Sequence, residues 1–388
     1  MILPLDGVRV IEISHMVMGP SCGMILADLG AEVIKVEPRG DGDKTRYLPG
    51  SGSGLFPSFN RNKKSFQADL ADPDDQETVR MLLASADVVV ENFRTGKMES
   101  YGLGYEALKE INPGIVYCSL KGFLGGPYGN RPALDEVVQM LGGLGYMTGP
   151  PGRPLRAGAS VNDIMGGMFG VIGIMSALMV RERTGEGAHL TSSLFENNVF
   201  LVGNHMVQAE LTGEDVEPMP NRMAAWAVYD IFRSAEDQMI FVAAVSDSQW
   251  RVLCEVFGLH RLAEDEDLAT NPQRVAQRDR IHAELQSVLG SLPLARIEEL
   301  CDGAGLPYAK VNKPSDLASD PHLLQTGALT PTRLPDGTEV LVPLLPLAVN
   351  GEHLPKRSDI PAPGEHTQEI LNSLEVNSRQ ANTGKRTP

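Results

Sequence analysis

The sequence is poor in several features that would otherwise direct its reading. Its four cysteines, Cys22, Cys118, Cys254 and Cys301, stand far apart, with no CxxC pair and no spacing suited to a metal. They read as buried thiols of a reducing compartment, and no group of histidines offers a metal site. Basic residues are outnumbered, 34 Lys and Arg against 50 Asp and Glu, and the net charge of −16 argues against general nucleic-acid binding. An anionic ligand would need a local concentration of positive charge. The apolar run from Met165 to Val180 is interrupted by glycines and falls short of a membrane span. Met1 to Val10 reads as a turn into a strand rather than as a signal peptide. No internal repeat and no low-complexity tract are present. These absences leave a cytoplasmic enzyme as the expectation, with no nucleic acid, membrane or metal among its partners. With 388 residues, 42% of them hydrophobic, the chain can build a large core and two domains.

The N-terminal half alternates strand and helix patterns. Val8 to Ile13 is β-rich, Pro20 to Leu29 is helical with Gly30 as its stop, and Val33 to Glu37 is a second strand. This spacing predicts a parallel βαβ unit and an α/β fold. The loop Ser14-His15-Met16-Val17-Met18-Gly19-Pro20 falls at the carboxyl end of the first strand, where open α/β sheets bind ligands. A dinucleotide site, with Glu37 on a ribose, is disfavoured because the loop lacks G-x-G-x-x-G. Arg39 and Arg46 lie in a polar loop that is either ordinary solvated surface or a source of phosphate donors. Phe59-Asn60-Arg61-Asn62-Lys63-Lys64 is a second basic cluster with the same two readings. Asp87 to Glu91 and Ile115 to Leu120 are further strands, followed directly by Asn92-Phe93 and by Lys121. In a parallel sheet, His15, Asn92, Phe93 and Lys121 share one edge, and together they suit a nucleotide-like ligand with phosphates.

A Gly/Pro-rich loop, Gly149 to Gly158, leads into Val161-Asn162-Asp163-Ile164-Met165-Gly166-Gly167, and an apolar helix follows. Asp163 has two compatible readings. It caps the helix, accepting a bond from a free backbone N–H, or it is a catalytic carboxylate with glycines that let a ligand approach. Thr212 to Asn221 is polar, contains two prolines and marks a boundary. Beyond it, Tyr229 to Phe232 and Met239 to Val245 predict a hairpin. Gln249 to Phe257, Gln273 to Leu289 and Leu294 to Gly303 predict helices of a smaller α+β domain. Pro321 begins a return segment, Pro361 to Leu374 predicts a loop and helix, and Glu375 to Pro388 reads as a frayed polar tail.

Several segments carry a family resemblance. They are Pro4-Leu5-Asp6-Gly7-Val8-Arg9-Val10, Gly30-Ala31-Glu32-Val33-Ile34-Lys35-Val36-Glu37, Glu91-Asn92-Phe93-Arg94, Ile111-Asn112-Pro113, Lys121-Gly122-Phe123, Arg183-Thr184-Gly185-Glu186-Gly187, the Asp163 turn and Pro363-Gly364-Glu365-His366-Thr367. Over nearly the whole chain these resemble the class III CoA-transferases, the family of formyl-CoA transferase and carnitine CoA-transferase. The resemblance implies a Rossmann-like large domain made from both chain ends (1–212 and 321–388), a smaller inserted domain (213–320) and an interlocked homodimer. It implies that coenzyme A is held as a substrate, with no resident cofactor, by His15, Met16, Val17, Met18, Arg39, Asn92, Phe93 and Lys121, and that Asp163 is the nucleophile. Formyl-CoA transferase has Gln, Arg and Lys where this chain has Val17, Ser100 and Pro132. Arg131, beside the last position, stands in as a coenzyme A ligand. Residues 221–229 lack that enzyme's glycine-rich loop, so formate and oxalate are not specifically expected. Racemases of the family carry a His-Asp pair where this chain reads Leu134-Asp135, and Leu134 moves no proton.

The expected activity is therefore transfer of coenzyme A from an acyl-CoA to a carboxylic acid, a dicarboxylic one with a succinyl-type donor being preferred, through a covalent aspartyl intermediate. Gly166-Gly167 or Gly142-Gly143 would supply oxyanion N–H groups, and Arg156 or Arg222 a cation for a second carboxylate. An isomerase of the same family and a non-catalytic coenzyme A binder are the alternatives.

Overall fold

The computed structural model describes residues 2–221 and 225–383. Arg222 lies outside the described residues. The chain forms two compact units, Met1–Pro220 with Pro321–Pro388, and Asn221–Asp320. The division falls later than the boundary expected at Gly213. The linker stays with the first unit, where the Met219 N–H donates to the Met147 carbonyl at 2.9 Å.

The first unit is organised on a six-stranded sheet: β1 (Arg9–Ile13), β2 (Glu32–Glu37), β3 (Lys63–Gln67), β4 (Val88–Glu91), β5 (Val116–Lys121) and β6 (Ala188–Ser193). Every adjacent pair is parallel, and the spatial order is β3-β2-β1-β4-β5-β6. This is the doubly wound order whose switch point lies between β1 and β4. The β-branched runs of β1, β2 and β4 follow from burial on both faces, which a parallel sheet covered by helices requires. Helices α1 (Met18–Asp28), α2 (Asp135–Leu141), α3 (Val161–Thr184) and α4 (Leu194–Thr212) are the ones that bear on the site. The C-terminal helix Thr367–Thr383 reaches further than expected, through much of the segment read as a frayed tail.

Strand β3 went unread in the sequence. The basic cluster before and within it is neither solvated surface nor a ligand site: Arg61 is 1% exposed and Lys63 2%. Arg61 pairs with Asp28 of α1, while Lys63 pairs with Glu12 of β1 at 2.6 Å and donates to the Pro20 carbonyl at 2.9 Å. Lys35 completes the cluster, bridging Glu12 at 3.2 Å and Asp43 at 3.0 Å. Such charges tolerate burial because each is paired and hydrogen-bonded. Burial nevertheless pulls the Lys63 ammonium down to about 8. Gly23 makes the room, since a Cβ there would lie 1.9 Å from the Glu12 Oε2.

Helix α3 is long and apolar enough to cross a membrane, yet one of its faces is packed within the unit. Gly166, Gly167 and Gly170 press on α1 and β5. A Cβ on Gly167 would fall 2.2 Å from Ser21 Oγ, 2.9 Å from the Met18 carbonyl oxygen and 3.0 Å from the Cys22 nitrogen. The outer faces of α3 and α4 carry Met168, Ile172, Met179, Phe200, Met206, Val207 and Leu211, all exposed.

The second unit is α+β. A three-stranded antiparallel sheet, β7 (Val228–Arg233), β8 (Met239–Ala244) and β9 (Tyr308–Lys310), packs on the helices Asp247–Val256, Arg278–Leu289 and Leu294–Ala304. Phe232, Trp250, Leu285 and Ile297 lie in its core. The helix expected over Gln273 to Leu289 is interrupted, because Asn271–Ala276 ends at Gln277 before the next begins.

The close approach of α3 to α1 separates two glycines of one helix. Gly167→Ala should destabilise the protein by about 1–3 kcal/mol, since backbone atoms stand in the way. Gly173, whose Cβ would only touch Leu190 Cδ1 at 3.4 Å, should accept Ala with a change between neutral and about 1 kcal/mol of stabilisation from helix propensity. Urea unfolding of the two variants checks the contrast.

Candidate functional site

The carboxyl ends of β1, β4 and β5 surround a cavity of about 760 Å³. His15, Asn92, Phe93, Lys121 and Arg131 line it, as do Arg94, Lys97 and Leu134. The local positive charge that an acidic chain would need for an anionic ligand is collected here. A second cavity of about 500 Å³ lies over the ends of β1 and β2, lined by Met16, Thr45, Leu48 and Tyr101. It shares His15 and Phe93 with the first, so the two meet at the switch point where doubly wound sheets bind ligands.

Several lining residues also fix the loops. The Asn92 amide accepts from the His15 N–H at 3.0 Å and donates to the His15 carbonyl at 2.8 Å, clipping the β1 loop to β4. The Lys121 ammonium pairs with Glu91 at 2.7 Å and donates to the Phe93 carbonyl at 2.7 Å, tying β5 to the same loop. The rings of His15 and Phe93 are 5.7 Å apart. Met16 takes the left-handed region with φ 65° and donates its N–H to Thr45 Oγ1 at 3.3 Å. A non-glycine residue held there is a feature that clusters at ligand sites.

Other sequence candidates sit elsewhere. Val17 and Met18 turn into the core, 2% and 4% exposed, at the start of α1. Arg39 is outside both linings, its guanidinium forming a two-pronged pair with Asp75. Arg46 is no phosphate donor: it makes two bonds to Glu37, at 2.6 and 2.8 Å, and lies over the Phe56 ring. Glu37 also accepts from Ser65 Oγ at 2.7 Å and from the Asp43 N–H at 2.8 Å, which leaves it poorly placed to hold a ribose. Burial opposes its charge, but the Arg46 guanidinium holds the Glu37 carboxyl below its ordinary range. Arg94 and Lys97 are the cavity cations that the sequence reading did not single out. Their signal was position, directly after β4 in the Glu91-Asn92-Phe93-Arg94 segment.

Asp163 is the third residue of α3. Its side chain is not the cap. That role belongs to Asp135, 4% exposed at the start of α2, whose Oδ1 accepts the N–H of Asn162 at 2.8 Å and of Asp163 at 3.2 Å. The other Asp135 oxygen accepts from the Gln139 amide. Nothing local in the sequence links Asp135 to these N–H groups, since they lie on another helix. The carboxyl of Asp163 is thereby free of a capping role. A helix N-terminus favours a carboxylate, but burial, with the neighbouring Asp135 and Glu136 carboxylates, pushes Asp163 up to about 7. Leu134, which precedes Asp135 in the chain, lines the larger cavity, and Asp135 in turn accepts the Asp163 N–H.

The glycine reading is revised. Gly166 and Gly167 lie inside α3, where each N–H bonds the carbonyl four residues before it. They serve helix packing, not an oxyanion. Gly143, with φ 86°, caps the short helix Leu144–Thr148, and Gly142 leaves room for Asn198, whose Oδ1 would lie 2.0 Å from a Cβ there.

Comparison with known proteins agrees with this architecture. The model of CoA-transferase family III matches residues 5–367. The succinate–glutarate CoA-transferase of Agrobacterium fabrum is 33% identical over 97% of each chain. The acetyl-CoA:oxalate CoA-transferase of Acetobacter aceti is 37% identical over 90% of each. The crystal structure of a CAIB/BAIF family protein from Brucella suis superposes with a TM-score of 0.86 at 34% identity, covering 96% of this chain and 100% of that one. The chain belongs to CoA-transferase family III and is an enzyme of that family.

Proposed function

We propose that this enzyme moves coenzyme A from an acyl-CoA donor to a dicarboxylic acid through covalent intermediates on Asp163. The observation that carries the reading is the Asp163 carboxyl. It is uncommitted to capping and pushed up to about 7, and the Asp135 that accepts its N–H follows Leu134, a lining residue of the cation-lined cavity at the sheet's carboxyl edge. Several relatives act, by their names, on succinate, glutarate or mesaconate, which supports the dicarboxylic class.

In this mechanism the Asp163 carboxylate attacks the thioester carbonyl of the donor. The C–S bond breaks, coenzyme A thiolate leaves, and a mixed anhydride remains. The thiolate attacks the aspartyl carbonyl of that anhydride, releasing the donor acid as its carboxylate and leaving an aspartyl thioester. The acceptor carboxylate then attacks this thioester, expelling thiolate and forming a second anhydride. Attack of the thiolate on the acceptor's carbonyl gives the new acyl-CoA and frees Asp163. Each exchange keeps the activation of the original thioester, so no resident cofactor is needed. The sequence needs exclusion of water, which would hydrolyse the anhydride.

On this reading Arg94, Lys97 and Arg131 provide charge for the coenzyme's phosphates, Lys121 being paired with Glu91, and the cavity over β1 and β2, joined through His15 and Phe93, receives another part of it. Racemization is disfavoured by Leu134, an exposed aliphatic side chain where a proton-transferring base would be needed. We further propose a homodimer, interlocked as the resemblance implies, that covers the exposed apolar faces of α3 and α4. The free cysteines, all buried, suit a cytoplasmic setting.

Succinyl-CoA mixed with a panel of mono- and dicarboxylic acids should yield new acyl-CoA masses, and Asp163→Ala should lower turnover by at least roughly 10³-fold. Near-normal turnover in that variant would sink the covalent mechanism. Because the ionised carboxylate is the nucleophile, kcat/KM for the donor should fall about tenfold per pH unit below about 7. A profile flat down to pH 5 would contradict the assignment.

The same raised carboxyl has a stability consequence. The folded state binds this proton more tightly than the unfolded chain, whose carboxyl titrates near 3.8. Ionisation therefore costs stability, by nothing below about pH 4 and by the full amount above about pH 7. Asp163→Asn should raise stability by about 1–3 kcal/mol at pH 8 and progressively less toward pH 4, as read by denaturant unfolding across pH.

A further inference from the structure

We infer that Arg156 selects the acceptor by binding the second carboxylate of a dicarboxylic acid, with Glu136 holding the guanidinium until that carboxylate arrives. The inference rests on the transferase reading and adds to it the residue that sets acceptor class.

The argument begins with placement. Arg156 lies on the Gly/Pro-rich segment before α3, and the segment is anchored on both sides of it. The Leu155 N–H donates to the Gly145 carbonyl at 3.0 Å, and the Ala157 N–H donates to Gln139 Oε1 at 2.7 Å. Gln139 is 0% exposed, and its amide nitrogen donates to Asp135. Asp135 in turn accepts the N–H of Asp163 at 3.2 Å. A continuous set of hydrogen bonds thus connects the backbone beside Arg156 to the peptide group of the nucleophile. The support fixes the backbone from which the Arg156 side chain extends.

The charges around Asp163 explain why a cation is required. Asp135 and Glu136 both act on it electrostatically, and the chain as a whole carries −16. A dianionic acceptor meets repulsion there unless its distal end is neutralised. Lys121 is committed to Glu91 and the Phe93 carbonyl, and Arg131 faces the larger cavity over the Tyr128 ring. Arg156 instead pairs with Glu136, both side chains being partly in solvent at 42% and 48% exposed. An exposed pair of this kind is weakly held. An incoming carboxylate can exchange with Glu136 and meet the planar guanidinium with two parallel bonds. A monocarboxylic acceptor has no group to make the exchange, so the pair stays closed and contributes nothing to its binding.

The test uses the full-length enzyme with saturating succinyl-CoA and two acceptors of equal length, glutarate and pentanoate. Arg156→Ala should raise KM for glutarate at least tenfold, leave KM for pentanoate unchanged, and keep kcat for both. Arg156→Lys should recover part of the loss. Glu136→Gln, which removes the competing carboxylate, should lower KM for glutarate alone. Equal effects of Arg156→Ala on both acceptors, or no effect on either, would overturn the assignment while leaving the transferase reading in place. No transfer by the unaltered enzyme to either acid or to any C4 to C6 dicarboxylate, from succinyl-CoA or from acetyl-CoA, would overturn both.

Discussion

The Asp135 carboxylate, buried at the start of α2, fixes the first turn of α3 and with it the site. Backbone N–H groups at a helix N-terminus must find acceptors, and a cap from the helix's own sequence would have used Asp163 or Ser160. Here the acceptor comes from another helix. The consequence is electrostatic as well as structural. One carboxylate answers the free N–H groups of the first turn, and its charge then opposes ionisation of the next one. The same residue binds Gln139, which holds the backbone at Ala157, so α2, α3 and the segment carrying Arg156 are tied to one another.

A second constraint lies beneath the sheet edge. Glu12, Lys35 and Lys63 occupy the adjacent strands β1, β2 and β3, where aliphatic residues would pack as well, and Arg61 with Asp28 adds a further buried pair. Replacing one partner leaves an unpaired buried charge, which is far more costly than never having had the pair. Because the pairs connect β1, β2, β3 and α1, they hold the β1 loop in one relation to the strands around it. The Asn92 and Lys121 bonds extend that relation across the switch point. The cavity walls are therefore set by polar contacts between strand ends, on a scaffold whose apolar core supplies most of the stability.

Much of this was legible along the chain. β-branched runs followed by helical patterns gave the parallel sheet, and the loops after β1, β4 and β5 identified His15, Asn92, Phe93 and Lys121 as neighbours. The basic cluster at Arg61 and Lys63 was misleading, because a run of charge looks the same whether it faces water or paired carboxylates from distant strands. Gly166 and Gly167 were misleading for a related reason. A glycine admits either a ligand or another helix, and here Ser21 and the α1 backbone occupy the space. Arg94 and Lys97 follow β4 directly, but only the loop's path turns them toward a cavity shared with Arg131.

The sequence by itself determined the alternation of strands and helices, the strand ends that meet, and the family resemblance that marks Asp163, because these depend on local pattern and on residues adjacent in the chain. The tertiary structure decided which charges are buried in pairs, which glycines are packing contacts, and which acid caps α3. Those outcomes depend on partners tens of residues away, whose approach no local spacing records. The raised Asp163 carboxyl is the clearest case: its residue is fixed by the chain, while its protonation is fixed by burial and by two acids of another helix.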